Sequence, residues 1–289
     1  MILITGATGH LGTATIDFLL QKGTPASNIA ALVRDEAKAG DLKAKGVSIV
    51  TGDYDNYASL TAAFKGIDKL FFVSGNDIAK RSQQHEKVVN AAKEAGVKHI
   101  LYTSFVRKNE TETSPIAQLA KSHIDTEKYL KASGLPYTIL RNNIYAEYIP
   151  VFIGQQVLET GIFLPAGDTQ VAFTLRSDMA EAFANILTSE GHENQDYLIS
   201  NTSSVSFHDI AAIISEASGK EVGYVSPSTE AFVDTLTKAG VPAEVIGISV
   251  GFAGAFKEGE FASTDTDLEK LLGRKPTSVR QYLTKLFAA

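Results

Sequence analysis

Short apolar runs alternate with longer amphipathic stretches through the first half of the chain, and this alternation restricts the fold more than any other feature. The runs are rich in β-branched residues and predict buried strands over residues 2–5, 29–34, 47–51, 70–74, 99–104 and 137–141. The stretches between them predict helices over residues 10–22, 35–44, 57–65, 81–95 and 115–132. Strands that are apolar on both faces and alternate with helices indicate a Rossmann-type, doubly wound parallel sheet, an α/β fold.

Glycine follows four of these predicted helices, at Gly23, Gly66, Gly96 and Gly134, where a left-handed residue commonly ends a helix. After about Asn142 the pattern changes. A helix is predicted from residues 177–178, a further strand over 197–200, and helices over 206–218, 229–239 and 243–257. We therefore expect a smaller, mostly helical C-terminal lobe beside the sheet.

Three glycines with G-x-x-G-x-x-G spacing lie between the first predicted strand and the first predicted helix. Such a turn needs glycine for unusual backbone angles, for close approach of backbone N–H groups to a diphosphate, and for packing of the helix on the strand. The helix N-terminus adds partial positive charge. The alternative is an ordinary turn without a ligand. We predict a dinucleotide site at Gly6, Ala7, Thr8, Gly9, His10, Leu11 and Gly12.

The residue after the second predicted strand indicates which dinucleotide binds. A carboxylate there accepts from the 2′-hydroxyl of NAD, whereas a guanidinium pairs with the 2′-phosphate of NADP. Arg34 stands at this position, so we predict NADP, in its reduced form NADPH, as the cofactor. A solvated surface arginine is the alternative for Arg34, and Asp35 has two open roles, at the ribose or as a helix cap.

Residues at the ends of the third and fourth predicted strands complete the predicted cofactor contacts. These are Asp53 and Tyr54 after the third strand, and Ser74 and Gly75 at the end of the fourth. Ligands of such sheets bind at the carboxyl edge, and Gly75 leaves room there for the nicotinamide ribose. Asp53 has an equal alternative as a helix cap.

Several motifs along the chain together point to a family. They are TGATGHLG at 5–12, LVR at 32–34, GDY at 52–54, AGVKHI at 95–100, HIDTE at 123–127, PYTILRN at 136–142 and GHEN at 191–194. With them the chain resembles the NmrA-like branch of atypical short-chain dehydrogenases/reductases, and most of all the type 2 NAD(P)H:quinone oxidoreductase and triphenylmethane-dye reductase group. The resemblance implies an NAD(P)-dependent oxidoreductase and assigns the adenine edge to Asp53 and Tyr54.

The chain departs from that superfamily at its proton donor. Short-chain dehydrogenases usually carry Tyr-x-x-x-Lys on the helix after the fifth strand, and the tyrosine protonates a carbonyl oxygen. Aligning Glu127 with the acid that often follows this lysine puts His123 at the lysine position and Leu119 at the tyrosine position. This disfavours carbonyl–alcohol redox, sugar epimerisation and isoflavone-type reduction. A quinone does not need the tyrosine, because its hydroquinone anion is resonance-stabilised, so positioning over the nicotinamide suffices.

The predicted catalytic residues are His123, Asn143 and Tyr145. A structural histidine and a polar turn between lobes are the respective alternatives. Asn142 is predicted to face the nicotinamide, and Ser104 either to line the cofactor pocket or to cap a turn. Candidate aromatic walls for a flat acceptor, most of them expected in the core, are Phe71, Phe72, Phe105, Tyr148, Phe152 and Phe163.

Composition excludes several other functions. The net charge of -6 without a basic cluster argues against nucleic-acid binding, and the lack of cysteine excludes disulfides and thiolate chemistry. No apolar run approaches the ~20 residues of a membrane span, and no His, Asp or Glu cluster has metal-ligand spacing. The N-terminus does not resemble a signal peptide, so we expect a cytoplasmic protein with a small-molecule partner, and we leave a homodimer open.

These observations favour an NADPH-dependent reductase that transfers hydride to quinones or similar aromatic acceptors. The alternative is an NmrA-like regulator that senses NAD(P) without turnover. The predicted domains are a nucleotide-binding domain of residues 1–150 with 175–203, and a substrate-binding lobe of residues 151–174 and 204–289.

Overall fold

A seven-stranded parallel sheet forms the centre of the computed structural model, which describes residues 1–288. Its strands, in the order β3-β2-β1-β4-β5-β6-β8, are β1 (Ile2–Ile4), β2 (Ile29–Val33), β3 (Ser48–Thr51), β4 (Lys69–Phe72), β5 (His99–Phe105), β6 (Tyr137–Asn142) and β8 (Gln195–Ile199). The order reverses between β1 and β4, where open α/β sheets bind ligands at the carboxyl edge. The predicted Rossmann-type fold is confirmed.

Thirteen α-helices surround this sheet or build the second lobe within residues 1–288. They are α1 (His10–Gln21), α2 (Gly40–Ala44), α3 (Tyr57–Ala63), α4 (Arg81–Ala95), α5 (Ala117–Ala132), α6 (Ile149–Ile153), α7 (Val157–Thr160), α8 (Arg176–Thr188), α9 (Phe207–Ser218), α10 (Thr229–Lys238), α11 (Ala243–Lys257), α12 (Leu268–Leu272) and α13 (Val279–Phe287). None of these helices has the length and apolar character that a membrane crossing requires.

The predicted helix ends agree closely with the structure. Gly23, Gly66, Gly96 and Gly134 all adopt positive φ, between 75° and 84°. The predicted helix over 35–44 is wrong in one respect, because residues Glu36–Ala39 form a 3-10 turn before the short α2.

The two faces of the sheet pack on different helices. One hydrophobic cluster joins Phe72 to α3, α4 and α5, and another joins Phe71 to α1, α8 and α12. Phe71 and Phe72 therefore lie in the core on opposite faces, as period-two alternation in a strand requires. Both faces are covered, which explains the continuous apolar strands.

A third cluster builds the C-terminal lobe from α6, α9, α11 and α13, together with the two-stranded sheet of β7 (Ile162–Phe163) and β9 (Tyr224–Val225). Val106 and Ile116, from the loop after β5, belong to it as well. In contrast, α12 packs on α8 in the sheet domain. Each lobe therefore contains segments from both predicted domains. The predicted division at residues 150, 175 and 203 stays a proposal.

Candidate functional site at the carboxyl edge of the sheet

The glycine turn brings the first helix unusually close to the first strand. Gly6 has φ of +58°, a conformation that glycine adopts without strain. A Cβ on Gly12 would lie 2.3 Å from the Gly6 carbonyl oxygen, so only glycine fits there. The N-cap of α1 is Gly9, and no side chain caps its free N–H groups. The turn therefore presents unpaired backbone donors and a helix N-terminus at the sheet edge.

The Tyr54 side chain holds the start of this turn in place through hydrogen bonds. Its hydroxyl lies 2.5 Å from Thr5 Oγ1 and donates to the Val73 carbonyl oxygen at 2.8 Å. Thr5 Oγ1 also accepts from the Val73 N–H at 2.9 Å. Burial raises the pKa of Tyr54 far above its ordinary value. The phenol thus stays protonated and ties the end of β4 to the end of β1.

A cleft of about 430 Å³ opens beside the turn and is lined by Thr8, Val33, Arg34, Asp35 and Lys38. Arg34 and Lys38 are both exposed in it. The Asp35 carboxylate accepts from the Ala37 N–H at 2.9 Å, so Asp35 caps the following turn. Lys38 was not predicted as a site residue, although it lies four residues after Arg34. Two cations at this position suit a ribose 2′-phosphate.

Asp53 does not cap a helix, which was one of its two predicted roles. Asn56 is the N-cap of α3, and its side chain accepts from the Ser59 N–H at 3.0 Å. The Asp53 carboxylate instead accepts from the Asp55 N–H at 2.9 Å and shapes the loop after β3. The adenine contact of Asp53 stays a prediction.

Buried side chains hold the loop after β4 in place. The Gly75 N–H donates to His85 Nε2 at 2.9 Å, and the Gly75 carbonyl oxygen accepts from Arg81 Nε at 2.6 Å. The Ser74 N–H donates to Thr103 Oγ1 at 2.9 Å. The loop residues were predicted from the sequence, but their three partners were not, because the partners come from α4 and β5.

His123 is buried and both of its ring nitrogens are engaged. Nε2 lies 3.2 Å from Arg81 Nη1, and Nδ1 lies 2.8 Å from the Tyr102 hydroxyl. Arginine only donates, so this network assigns Nε2 as the acceptor and places the proton on Nδ1. Burial and the neighbouring Arg81 charge hold the pKa of His123 well below its ordinary value. The imidazole is therefore neutral and its ring nitrogens are not free.

Ser104 belongs to a buried ionic cluster around Glu127, and its hydroxyl donates to the Glu127 carboxylate. Arg107 contacts both carboxylate oxygens, at 2.7 and 2.8 Å, and Arg141 contacts Oε2 at 2.8 Å. Burial raises the pKa of Glu127, but the hydrogen bonds from Arg107, Arg141 and Ser104 outweigh it and lower that pKa to about 2. The hydroxyl of Ser104 thus fixes α5 to β5 and caps no turn.

The two asparagines at the end of β6 differ sharply in their hydrogen bonding. Asn143 Nδ2 donates to Ser200 Oγ at 2.8 Å and to the Phe261 carbonyl oxygen at 3.3 Å, and its Oδ1 accepts from the Ile144 N–H at 2.7 Å. Asn142 is 2% exposed, and neither atom of its amide has a partner at full hydrogen-bond distance within residues 1–288. Burial raises the pKa of the Tyr145 phenol, and the Asn142 side chain lies near enough to that hydroxyl to oppose the rise. Leaving such a group unpaired costs about 1–3 kcal/mol, so the Asn142 amide indicates a bound partner.

A chain of contacting aromatic rings, called the aromatic arc below, runs from the end of β6 through the C-terminal lobe to α5. In order along the arc, they are Tyr145, Tyr148, Phe152, Phe252, Phe261, Phe105 and His123, with neighbouring ring centroids 5.5 to 6.5 Å apart. The Arg176 guanidinium lies 4.4 Å from the Tyr145 ring centroid and 4.7 Å from that of Tyr148. Phe252 and Phe261 were not predicted. Phe163 is not part of the arc and packs against Phe232.

The chain is similar to proteins of one family along nearly its whole length. The sequence profile of the NmrA-like family matches residues 1–283. The chain belongs to the NmrA-like family. This NmrA-like protein is 40% identical over 291 residues to quinone oxidoreductase 2 of Escherichia coli (strain K12), covering 99% of both chains.

Two solved structures extend the comparison. An NADPH-dependent quinone oxidoreductase from Escherichia coli, complexed with NADPH, matches with a TM-score of 0.92 and 36% identity, covering 99% of this chain and 100% of that one. The Citrobacter sp. triphenylmethane reductase complexed with NADP(H) matches with a TM-score of 0.90 and 39% identity, at the same coverage. Among residues 1–288, no group of three or more His, Asp or Glu side chains is arranged to hold a metal ion.

Proposed function

We propose that this protein is an NADPH-dependent reductase that transfers hydride to quinones or similar aromatic acceptors without a tyrosine acid. The observation that carries the proposal is the unpartnered amide of Asn142, buried at the same sheet edge as the uncapped start of α1. A dinucleotide lying along this edge satisfies both ends at once, with its diphosphate on the helix and its carboxamide on the asparagine.

The residues of the edge fit the parts of NADPH in order. Backbone N–H groups of residues 7–12 hold the diphosphate, and Arg34 with Lys38 holds the 2′-phosphate. Asp53 flanks the adenine, and the loop at Ser74 and Gly75 accommodates the nicotinamide ribose. When bound, NADPH supplies a hydride, which is two electrons and one proton in a single transfer.

The remaining side chains position the acceptor. The aromatic arc provides flat apolar walls, and Tyr145 is the arc residue nearest in sequence to Asn142. His123, Ser104 and Asn143 act as positioning residues, since their polar atoms are engaged within the protein. Catalysis by proximity suits an acceptor whose reduced anion is stable. The names of the matched quinone oxidoreductases and triphenylmethane reductase support electron-poor aromatic acceptors.

The test is NADPH oxidation by the purified protein, followed by absorbance with and without 1,4-benzoquinone. We expect acceptor-dependent oxidation with one hydroquinone formed per NADPH consumed. Tight NADPH binding without turnover of benzoquinone, a naphthoquinone or a triphenylmethane dye would contradict the reductase. It would instead favour the nucleotide-sensing regulator.

A further inference from the structure

Arg81 is a buried cation without a carboxylate partner. Its side chain lies at the start of α4 and the residue is 6% exposed. No acidic side chain lies within ion-pair distance of Arg81 in the part of the chain that the structure describes, and the Asp77 carboxylate acts on its charge only from farther away. Arg107, whose side chain is 2% exposed, pairs with both Glu127 and Glu110. Burying an unpaired charge is costly, so Arg81 is expected to have a function that repays this cost.

Three of the five N–H donors of Arg81 hold it rigidly. Nε donates to the Gly75 carbonyl oxygen at 2.6 Å, and Nη1 contacts Ser122 Oγ at 3.3 Å and His123 Nε2 at 3.2 Å. Nη2 has no acceptor within residues 1–288. The amide atoms of Asn142 are sealed from solvent, whereas Nη2 of Arg81 reaches solvent. Two charged donors therefore remain available in a fixed orientation.

The neighbours of Arg81 place these donors at the acceptor end of the proposed cofactor cleft. Gly75 lies in the loop between β4 and α4, at the carboxyl edge. His123 is the last ring of the aromatic arc, and its centroid lies 5.8 Å from that of Phe105. Asn142 is the last residue of β6, and Arg81 begins α4, which packs on one face of the sheet. A flat acceptor along the arc thus has a cation at one end.

We propose that Arg81 stabilises the negative charge that develops on the acceptor oxygen, in the place of the absent tyrosine acid. The inference rests on the proposed reductase function. Hydride from the reduced nicotinamide adds two electrons and one proton to the quinone, which becomes the hydroquinone monoanion. The Arg81 Nη2 donors hydrogen-bond to the phenolate oxygen of that anion, which then takes a proton from water. No proton leaves the arginine, so the step needs no titratable side chain.

A fixed cation is effective here because it needs no reorganisation as charge develops. Removal of one preorganised donor of this kind lowers kcat by about 100–1000-fold in other enzymes. We expect Arg81→Gln to lower kcat with benzoquinone by ~100-fold and to leave the Kd for NADPH within about threefold. Arg81→Lys, which keeps the charge but loses the fork, should show an intermediate loss. Arg280→Gln, which removes an exposed arginine paired with Glu216, is the matched control.

A spectroscopic experiment tests the anion site without turnover. 4-Nitrophenol is titrated with the NADP⁺-loaded protein, and its ionisation is read from the yellow phenolate absorption as the pH is varied. In the wild type we expect the pKa of the bound phenol to fall by about 1–3 units, as it does beside a fixed cation. Arg81→Gln should abolish this fall, and Arg81→Lys should retain part of it.

Several results would overturn the proposal. One is a wild-type protein in which the phenol ionises as it does in free solution, and this arm does not depend on any variant folding. Another is an Arg81→Gln protein whose loss appears in NADPH affinity instead of kcat. Absence of NADPH oxidation by any quinone would refute the reductase, whereas the phenol titration would still report on Arg81 separately.

Discussion

Replacing Arg34 by Ala should weaken NADPH binding selectively. Arg34 and Lys38 face one open cleft beside Thr8, and the acid in that cleft, Asp35, is committed to a backbone N–H. A 2′-phosphate carries about −1.5 to −2 charge. At ~4 Å, one pair of unit charges is worth about 1 kcal/mol in water and about 4 at a protein surface.

The solvent-open cleft places the contribution of Arg34 toward the lower part of this range. A hydrogen bond to a charged group is worth about 1.5–3 kcal/mol, which corresponds to ~10–100-fold in Kd. Arg34→Ala should weaken NADPH by this factor, and adding Lys38→Ala should bring the total to ~100–1000-fold. NADH has no 2′-phosphate, so its Kd should change little in either variant.

Titration calorimetry with both nucleotides measures this difference, and Lys65→Ala, an exposed lysine outside the cleft, serves as the control. An equal loss of NADPH and NADH affinity in the Arg34 variant would contradict the 2′-phosphate role of Arg34. A wild type that binds NADH as tightly as NADPH would contradict it as well.

Three further predictions concern the turn, the ionic cluster and the buried histidine. Gly12→Ala puts a Cβ 2.3 Å from the Gly6 carbonyl oxygen, so NADPH binding should be lost. The free energy of unfolding should fall by about 1–3 kcal/mol. Unchanged NADPH affinity would contradict the turn geometry. Glu127→Gln removes the buried counter-charge of Arg107, which then keeps only the exposed Glu110, and should cost about 3 kcal/mol in denaturant unfolding at neutral pH. The folded pKa of Glu127 is about 2 and an unfolded glutamate titrates near about 4.3, so this difference should be constant above that pH and shrink as the pH falls toward 2. His123→Gln should leave the shape of the kcat profile between about pH 6 and 8 unchanged, because neutral His123 does not titrate there; loss of an ionisation would restore His123 as an acid.

The sheet domain was predictable because its signals are local. Each buried strand is an uninterrupted apolar run and each helix carries its own stop signal, such as Gly96 with φ of +78° at the end of α4. The C-terminal lobe was predicted less completely. Its two-residue strands β7 and β9 and the short α12 have too few residues to show a period.

The candidate site likewise has residues that the sequence indicated and residues that only the structure reveals. The glycine turn and Arg34 lie in one contiguous segment, so the sequence shows their spacing directly. Arg81 shows no role in the sequence, because a guanidinium buried without a counter-ion is visible only once α4 and α5 pack together. Lys38 was missed because its position in the cleft depends on the turn that follows β2. Ser104 shows the converse, since its position at a strand end predicted a pocket, whereas the side chain points to Glu127 on α5.

The central claim is that a dinucleotide lies along the carboxyl edge from the start of α1 to Asn142. A crystal structure of the protein with NADPH tests it most directly. We predict the diphosphate on the amides of residues 7–12, the 2′-phosphate between Arg34 and Lys38, and the nicotinamide carboxamide on the Asn142 side chain. Density for the nucleotide elsewhere, or an Asn142 amide that stays unpartnered in the complex, would contradict the account.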